Sequence, residues 1–137
     1  MKTGFVAGSF DLFHAGHIAM LSEARSVCDY LIVGIQTNPA IDRPEKNKPI
    51  QSIVERQIQV RGCRYVNETI VYETEQDLLD LLTILKIDIR IVGPDHANKP
   101  KPSPRDEICN RRGIEIYYNK RDHRFSTTEL RERIKNI

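Results

Sequence analysis

Thr3-Gly4-Phe5-Val6-Ala7-Gly8-Ser9-Phe10-Asp11-Leu12-Phe13-His14-Ala15-Gly16-His17 changes from a strand pattern to a helix start within fifteen residues. Thr3–Ala7 is a short apolar run with a β-branched and an aromatic side chain, the pattern of a buried strand. Gly8 and Ser9 form a tight strand exit whose backbone amides are free for an anion. His14 and His17 are three residues apart across the helix start, so both imidazoles fall on one face. Gly16 between them lacks a Cβ and lets a ligand approach the backbone closely. The helix N-terminal amides add partial positive charge at the same place. The stretch is neither GxGxxG nor GxxxxGK[ST], so a dinucleotide fingerprint and a P-loop are both excluded here. It suits a phosphate chain, with two imidazole N–H donors holding the nonbridging oxygens of a phosphorus under attack. A zinc site is a poor match, because zinc helices place His at i and i+4 and no third ligand stands nearby.

Outward from this stretch the same alternation recurs. Tyr30–Ile35, Thr69–Tyr72, Ile89–Val92 and Ile114–Tyr118 read as four further buried strands. Ile18, Leu21, Ala24 and Arg25 mark a first helix ending near Val27. Ser52-x-x-Glu55 is a capping box that starts a second. Thr74 caps a third with a Leu78, Leu81, Leu82, Leu85 stripe. Pro104 opens a fourth that stops at Gly113, and Ser126-Thr127-Thr128-Glu129 is a capping-box sequence for a fifth, through Ile134. Five strand–helix alternations imply parallel βαβ units with right-handed crossovers: an α/β fold, a three-layer Rossmann-like sandwich with a five-stranded parallel sheet, in one domain spanning 1–137. Two long loops, Thr37–Gln51 and Gly93–Ser103, follow strands and so belong to the carboxyl edge of the sheet, where ligands bind in such folds.

Composition narrows the function further. Twenty-one Lys and Arg against nineteen Asp and Glu give a net charge of +2, too balanced for a general nucleic-acid binder. Residues 99–137 nonetheless hold eleven basic and six acidic side chains, a skew that fits a compact anionic ligand or a solvated basic face. Cys28, Cys63 and Cys109 are odd in number and far apart, which excludes a zinc ribbon or disulfide framework and suits a reducing, cytoplasmic setting. Asp11 interrupts the N-terminus before a signal peptide's apolar core could form, and no apolar run approaches the ~18 residues of a membrane span. The expected partners are therefore small molecules, with no nucleic acid and no membrane.

Gly8-Ser9-Phe10-Asp11 with His14-x-Gly16-His17 resembles the G-[ST]-F-D…H-x-G-H signature of the nucleotidyltransferase superfamily, in the spacing of its cytidylyltransferase branch. Asp29-Tyr30, Glu55-Arg56, Cys63-Arg64-Tyr65-Val66 and Gly93-x-Asp95 are similar to that branch in the same order. Arg121-x-x-x-Phe125-Ser126-Thr127-Thr128 resembles its second motif, R-T-x-G-I-S-T-T. The nearest resemblance is to the small bacterial-type glycerol-3-phosphate cytidylyltransferases, and it covers nearly the whole chain. It implies transfer of CMP from CTP to a small phosphorylated alcohol such as glycerol 3-phosphate, with release of pyrophosphate. His14, His17, Lys46 and Arg121 would be catalytic. Gly8, Ser9, Phe10, Asp11, Gly16, Asp95, Ser126, Thr127 and Thr128 would bind the nucleotide. Lys46 is chosen over Lys48 because the family places a lysine nine or ten residues before the arginine matched by Arg56. Arg56, Arg64 and Lys99 are candidates for the acceptor phosphate, and Arg56 and Arg64 equally for support of the site. Mg²⁺ would arrive with the nucleotide and need no protein cage. A homodimer is also implied.

Three positions depart from the pattern. Arg124 stands at the usual Gly of the second motif, His96 at the usual Trp of glycerol-3-phosphate enzymes, and Asn38 at a usual Asp after the second strand. The acceptor is thereby left open. Two other readings stand beside this one: an adenylyltransferase using ATP, and a nucleotide-binding sensor that does not turn over.

Overall fold

The alternation read from the sequence is present in a computed structural model, which describes residues 1–97 and 100–137, His96 by its backbone alone. Its strands are β1 (Thr3–Gly8), β2 (Tyr30–Gln36), β3 (Glu68–Tyr72), β4 (Ile89–Val92) and β5 (Glu115–Tyr118). Between and after them lie α1 (Ala15–Ser26), α2 (Ile53–Arg61), α3 (Glu75–Ile84), α4 (Pro104–Arg112) and α5 (Thr127–Lys135), with a 3₁₀ turn at Pro94–His96. Strand order is β3-β2-β1-β4-β5, and every neighbouring pair is parallel. The chain winds outward from β1 in one direction through β2 and β3, then in the other through β4 and β5. The two windings part at the carboxyl ends of β1 and β4, which is the switch point where open α/β sheets hold ligands.

Side chains alternate across the sheet and divide the core in two. Val6, Leu31 and Val33 pack on one face with Leu21 and Ala24 of α1 and Val60 of α2. Phe5 and Ile32 point to the other face, with Leu78 and Leu82 of α3 and Cys109 of α4. Those two packed interfaces give the expected three layers. The glycines of β1 and β2 follow from this packing: a Cβ on Gly4 would lie 2.8 Å from the Cys28 sulfur, and one on Gly34 would lie 2.9 Å from the Phe5 ring. All three cysteines are buried free thiols.

Ser52, Thr74 and Ser103 each close a reciprocal capping box, and Pro104 and Gly113 (φ 71°) bound α4 as their chemistry requires. Two details differ from the sequence expectation. At α5 only half of the box forms: Ser126 accepts the Glu129 amide, while the Glu129 carboxylate turns to Arg133 at 3.4 Å. Leu85 ends its stripe outside the helix in extended conformation as the C-cap of α3. No helix among the described residues is long and apolar enough to cross a membrane.

Candidate active site

The turn after β1 is held in an unusual backbone conformation, with Phe10 at φ 52° and Leu12 at φ 51°, the left-handed region that side chains with a Cβ seldom adopt. Buried anchors hold it there. The Phe10 ring is core, 3% exposed, and stands 5.4 Å from the His17 ring. Between the two left-handed residues, the Asp11 carboxylate is buried and accepts the amides of Ile50 (2.8 Å) and Gln51 (2.9 Å) and the Arg131 guanidinium (2.9 Å). Gln51 returns the contact by accepting the Leu12 amide at 2.8 Å. The turn after β1, the end of the 37–51 loop and α5 thus meet on one carboxylate.

His14 and His17 begin α1 with a capping box made of two imidazoles. His14 Nδ1 accepts the Gly16 amide at 3.0 Å, and His17 Nδ1 accepts the His14 amide at 3.1 Å. An Nδ1 that accepts carries no proton, so in both neutral rings the proton sits on Nε2. His14 Nε2 lies 3.2 Å from the Thr127 hydroxyl, which in turn donates to the Asp11 carbonyl at 3.3 Å. His17 Nε2 has no protein partner among the described residues. Burial lowers the His17 pKa to about 3, with the nearby His14 adding to the effect. Burial and the charges of His123 and Arg121 lower that of His14 as well. At neutral pH the pair is two uncharged rings, 3.9 Å between centroids, each with one Nε2–H; that of His14 is given to the Thr127 hydroxyl and that of His17 is open.

These rings line a cavity of about 340 Å³ between α1, the turn after β4 and the segment from Asn119 to Thr127. Gly16, Asp95, Arg121, Ser126 and Thr127 line it too, so seven of the sequence candidates, His14 and His17 included, converge there. Gly16 has a different steric reason from the one expected: a Cβ would stand 2.9 Å from the Phe125 carbonyl and 2.8 Å from the His14 ring, so the absent methyl admits protein. Arg121 donates to the Phe125 carbonyl at 3.3 Å and is otherwise exposed. Thr128 is exposed and lies outside the cavity.

A second hollow of about 590 Å³ opens over the carboxyl ends of β1, β2 and β3 and holds Gly8, Ser9 and Lys46. Lys46 and Arg121, both expected to be catalytic, therefore face different hollows. Arg56 is 2% exposed, and its guanidinium donates to the carbonyls of Gln51 (3.2 Å), Ser9 (2.9 Å), Gln36 (2.6 Å) and Thr37 (2.6 Å). It braces three loop ends from inside and has no fork left to offer an acceptor. Arg64 is exposed, 5.7 Å over the Tyr65 ring and outside both hollows. Lys99 lies outside the described residues.

Sequence reasoning missed Glu23. Its carboxylate accepts the Tyr117 hydroxyl (2.8 Å) and the Lys120 amide (2.9 Å), and so hangs the Arg121-bearing segment on α1. Its partners are more than ninety residues away, and no local pattern reports them. It also missed Asn119, a buried amide on the wall of the first cavity whose Nδ2 has no partner among the described residues.

Residues 5–133 match the model of the cytidylyltransferase-like family. The chain belongs to that family. Among curated cytidylyltransferase-like relatives, the ethanolamine-phosphate cytidylyltransferase of Dictyostelium discoideum is 34% identical over 113 residues, covering 77% of this chain and 31% of that protein. That of Arabidopsis thaliana is 38% identical over 92 residues, 64% of this chain and 21% of that protein. The bifunctional protein HldE of Caulobacter sp. (strain K31) is 32% identical over 98 residues, 71% of this chain and 20% of its own length. The chain thus spans between a fifth and a third of these relatives. In fold it is similar to the lipopolysaccharide core biosynthesis protein of Thermoplasma volcanium GSS1, with TM-score 0.69 and 24% identity over 86% of this chain and 93% of that one.

Proposed function

We propose that this cytidylyltransferase-like chain transfers CMP from CTP, taken as its Mg²⁺ complex, to the phosphate of a small phosphorylated acceptor. An acceptor phosphate oxygen attacks the α-phosphorus in line; the new P–O bond forms as the bond to the β-phosphate bridging oxygen breaks, and pyrophosphate leaves. The acceptor phosphate is already ionised near neutral pH, so no general base is required. The observation that carries the reading is the neutral His14–His17 pair, with its Nε2 protons fixed by the helix cap at the switch point of the sheet. Two aimed N–H donors can stabilise charge that builds up on the nonbridging oxygens as the phosphorus is attacked.

In this reading Arg121, Ser126 and Thr127 hold the triphosphate from the far wall, while Ala19, Met20 and Pro94 supply apolar surface for the base. Lys46 stands on the acceptor side, next to Gly8 and Ser9. Glycerol 3-phosphate and ethanolamine phosphate are the candidate acceptors, the first from the resemblance and the second from the relatives' names. A homodimer belongs to the proposal, supported by Val54 and Ile58, exposed one turn apart on α2.

The test uses His14→Asn and His17→Asn. Asn keeps an oxygen that can accept the capped amide, so the helix start survives while the N–H donor is lost. Pyrophosphate release should fall by roughly 10²–10⁴ with a much smaller change in CTP affinity. Turnover within about threefold of the parent in both variants would refute the assignment. A roughly tenfold kcat/KM preference for ATP over CTP would make the chain an adenylyltransferase. Nucleotide binding without turnover on any acceptor would make it a sensor.

A further inference from the structure

The first cavity changes character along α1. Gly16, Ala19, Met20 and Glu23 line it at i, i+3, i+4 and i+7, so they form one stripe of the helix. At the start of the stripe stand the two imidazoles, Ser126 and Thr127. Glu23 lies about 10 Å further along the helix axis, beyond the apolar surface of Ala19 and Met20. That is close to the span from the α-phosphorus of a nucleotide to the far edge of its base. Two groups at this end have hydrogen-bonding capacity that the protein leaves unused. Glu23 is half-buried; its Oε2 accepts the Tyr117 hydroxyl (2.8 Å) and the Lys120 amide (2.9 Å), while Oε1 only shares that amide, at 3.1 Å. Oε1 therefore keeps a lone pair. Beside Lys120 is Asn119, 7% exposed, whose buried Nδ2 finds no acceptor among the described residues. Its amide turns over without breaking any hydrogen bond among the described residues, so either the NH₂ or the oxygen can face the cavity. Lys120, the cation of this wall, is exposed and its charge is screened by solvent.

We propose that these two residues read the base: Glu23 Oε1 accepts the exocyclic amino group of cytosine and excludes the keto oxygen of uracil, while the Asn119 carboxamide bonds the ring nitrogen beside it. The proposal rests on the nucleotidyl-transfer reading for what fills the cavity. A carboxylate only accepts, so it suits an amino group and cannot suit a carbonyl. Uracil sets the lone pairs of its O4 against those of Glu23, and neither oxygen brings a proton to the contact. Discrimination comes from that repulsive contact as much as from the attractive one. Asn119 does not choose. Its amide donates to the bare ring nitrogen of cytosine or, turned over, accepts the N–H of uracil, so it adds affinity to both. Adenine carries the same edge of amino group and ring nitrogen, so Glu23 separates amino from keto bases and not cytosine from adenine. The carboxylate that hangs the Arg121-bearing segment on α1 is in this way also the group that meets the base.

The experiment measures CTP and UTP binding to the full chain by calorimetry, with Mg²⁺ and without acceptor, and follows the side-chain NH₂ of Asn119 in the isotope-labelled protein. CTP should bind about tenfold more tightly than UTP, a modest factor because Glu23 is half-buried, and both should shift the Asn119 NH₂. In Glu23→Gln the amide oxygen keeps Lys120 and Tyr117, so the NH₂ faces the base and the ratio should move toward UTP by about tenfold. Were Glu23 only a brace for the 119–126 segment, this variant would weaken both nucleotides alike and leave the ratio in place. Asn119→Leu should weaken both by about tenfold without moving the ratio. Equal affinity for CTP and UTP, an unchanged ratio in Glu23→Gln, or an unshifted Asn119 NH₂ overturns the proposal. If Asn119→Leu does not fold, the NH₂ shift in the parent chain decides the role of Asn119. Binding of neither nucleotide overturns this proposal and the transfer reading together. A chain that prefers CTP as expected yet releases no pyrophosphate refutes the transfer reading and not the base contact. One that releases pyrophosphate equally well from CTP and UTP refutes the base contact and not the transfer reading.

Discussion

Asp11→Asn removes a charge from the point where three segments meet, and its cost can be worked out bond by bond. The carboxylate accepts two backbone amides on separate oxygens, and the oxygen on Ile50 also takes Arg131. The better orientation of the Asn side chain keeps its oxygen toward Ile50 and Arg131, so its NH₂ must face the Gln51 amide. One part-buried donor is then left unsatisfied, at about 1–3 kcal/mol. The Arg131 contact loses its ionic component, worth about 1 kcal/mol because Arg131 is a quarter exposed and partly screened. The expected loss is about 2–4 kcal/mol, a fall in Tm of roughly 10 °C for a chain of this size. Urea unfolding should show a lower midpoint with an unchanged slope. Native-state amide exchange should quicken together at Ile50, Gln51 and the first turns of α5. A loss below about 0.5 kcal/mol would refute the energetic reasoning. Faster exchange at Ile50 and Gln51 with α5 undisturbed would show that the carboxylate does not couple the two segments.

Three further outcomes follow from the same geometry. His17 binds its proton near pH 3 when folded and near 6.5 when unfolded, so the unfolded chain takes up more protons in between and stability falls as pH drops through that window. The contribution lost by pH 4.5 is about 2–3 kcal/mol, and denaturant titrations at pH 7 and 4.5 should show a flatter acid slope for His17→Asn; equal slopes would contradict it. Gly16→Ala places a methyl against the Phe125 carbonyl and the His14 ring, so pyrophosphate release should drop about 10²-fold while unfolding changes little, and near-normal turnover would show that the two segments need not touch. Glu23→Gln weakens the hold on Tyr117 and Lys120, which should raise the nucleotide KM more than it lowers kcat and speed amide exchange across 120–126; unchanged exchange there would remove Glu23 from its positioning role.

The strands and helices were legible because their signals are local. Apolar runs of four to six residues, the boxes Ser52/Glu55 and Thr74, and Pro104 with Gly113 are all short-range signals. The histidine pair was legible for the same reason, since i and i+3 spacing at a helix start fixes a shared face. What the sequence could not show was how each side chain is employed. Asp11 and Arg56 sit in motif positions that suggest ligand contact, yet their bonds go to Ile50, Gln51, Arg131 and four backbone carbonyls, partners set by tertiary folding. Charge alone likewise does not reveal that Lys46 and Arg121 face different hollows. The Glu75–Arg105 ion pair joins residues thirty apart and leaves no periodic trace.

The reciprocal cap of α1 has a thermodynamic consequence for any ligand that meets it. Each imidazole is held by a backbone amide that belongs to the fold, so its torsional freedom is surrendered when the chain folds and not when a ligand arrives. Binding then requires little further ordering of these two side chains, and the reacting phosphorus meets donors whose directions were fixed beforehand. The same bond makes folding and function inseparable at these residues: a replacement that frees the ring to rotate also frays the first turn, so a variant can keep the donor in place only if it keeps the acceptor that anchors it.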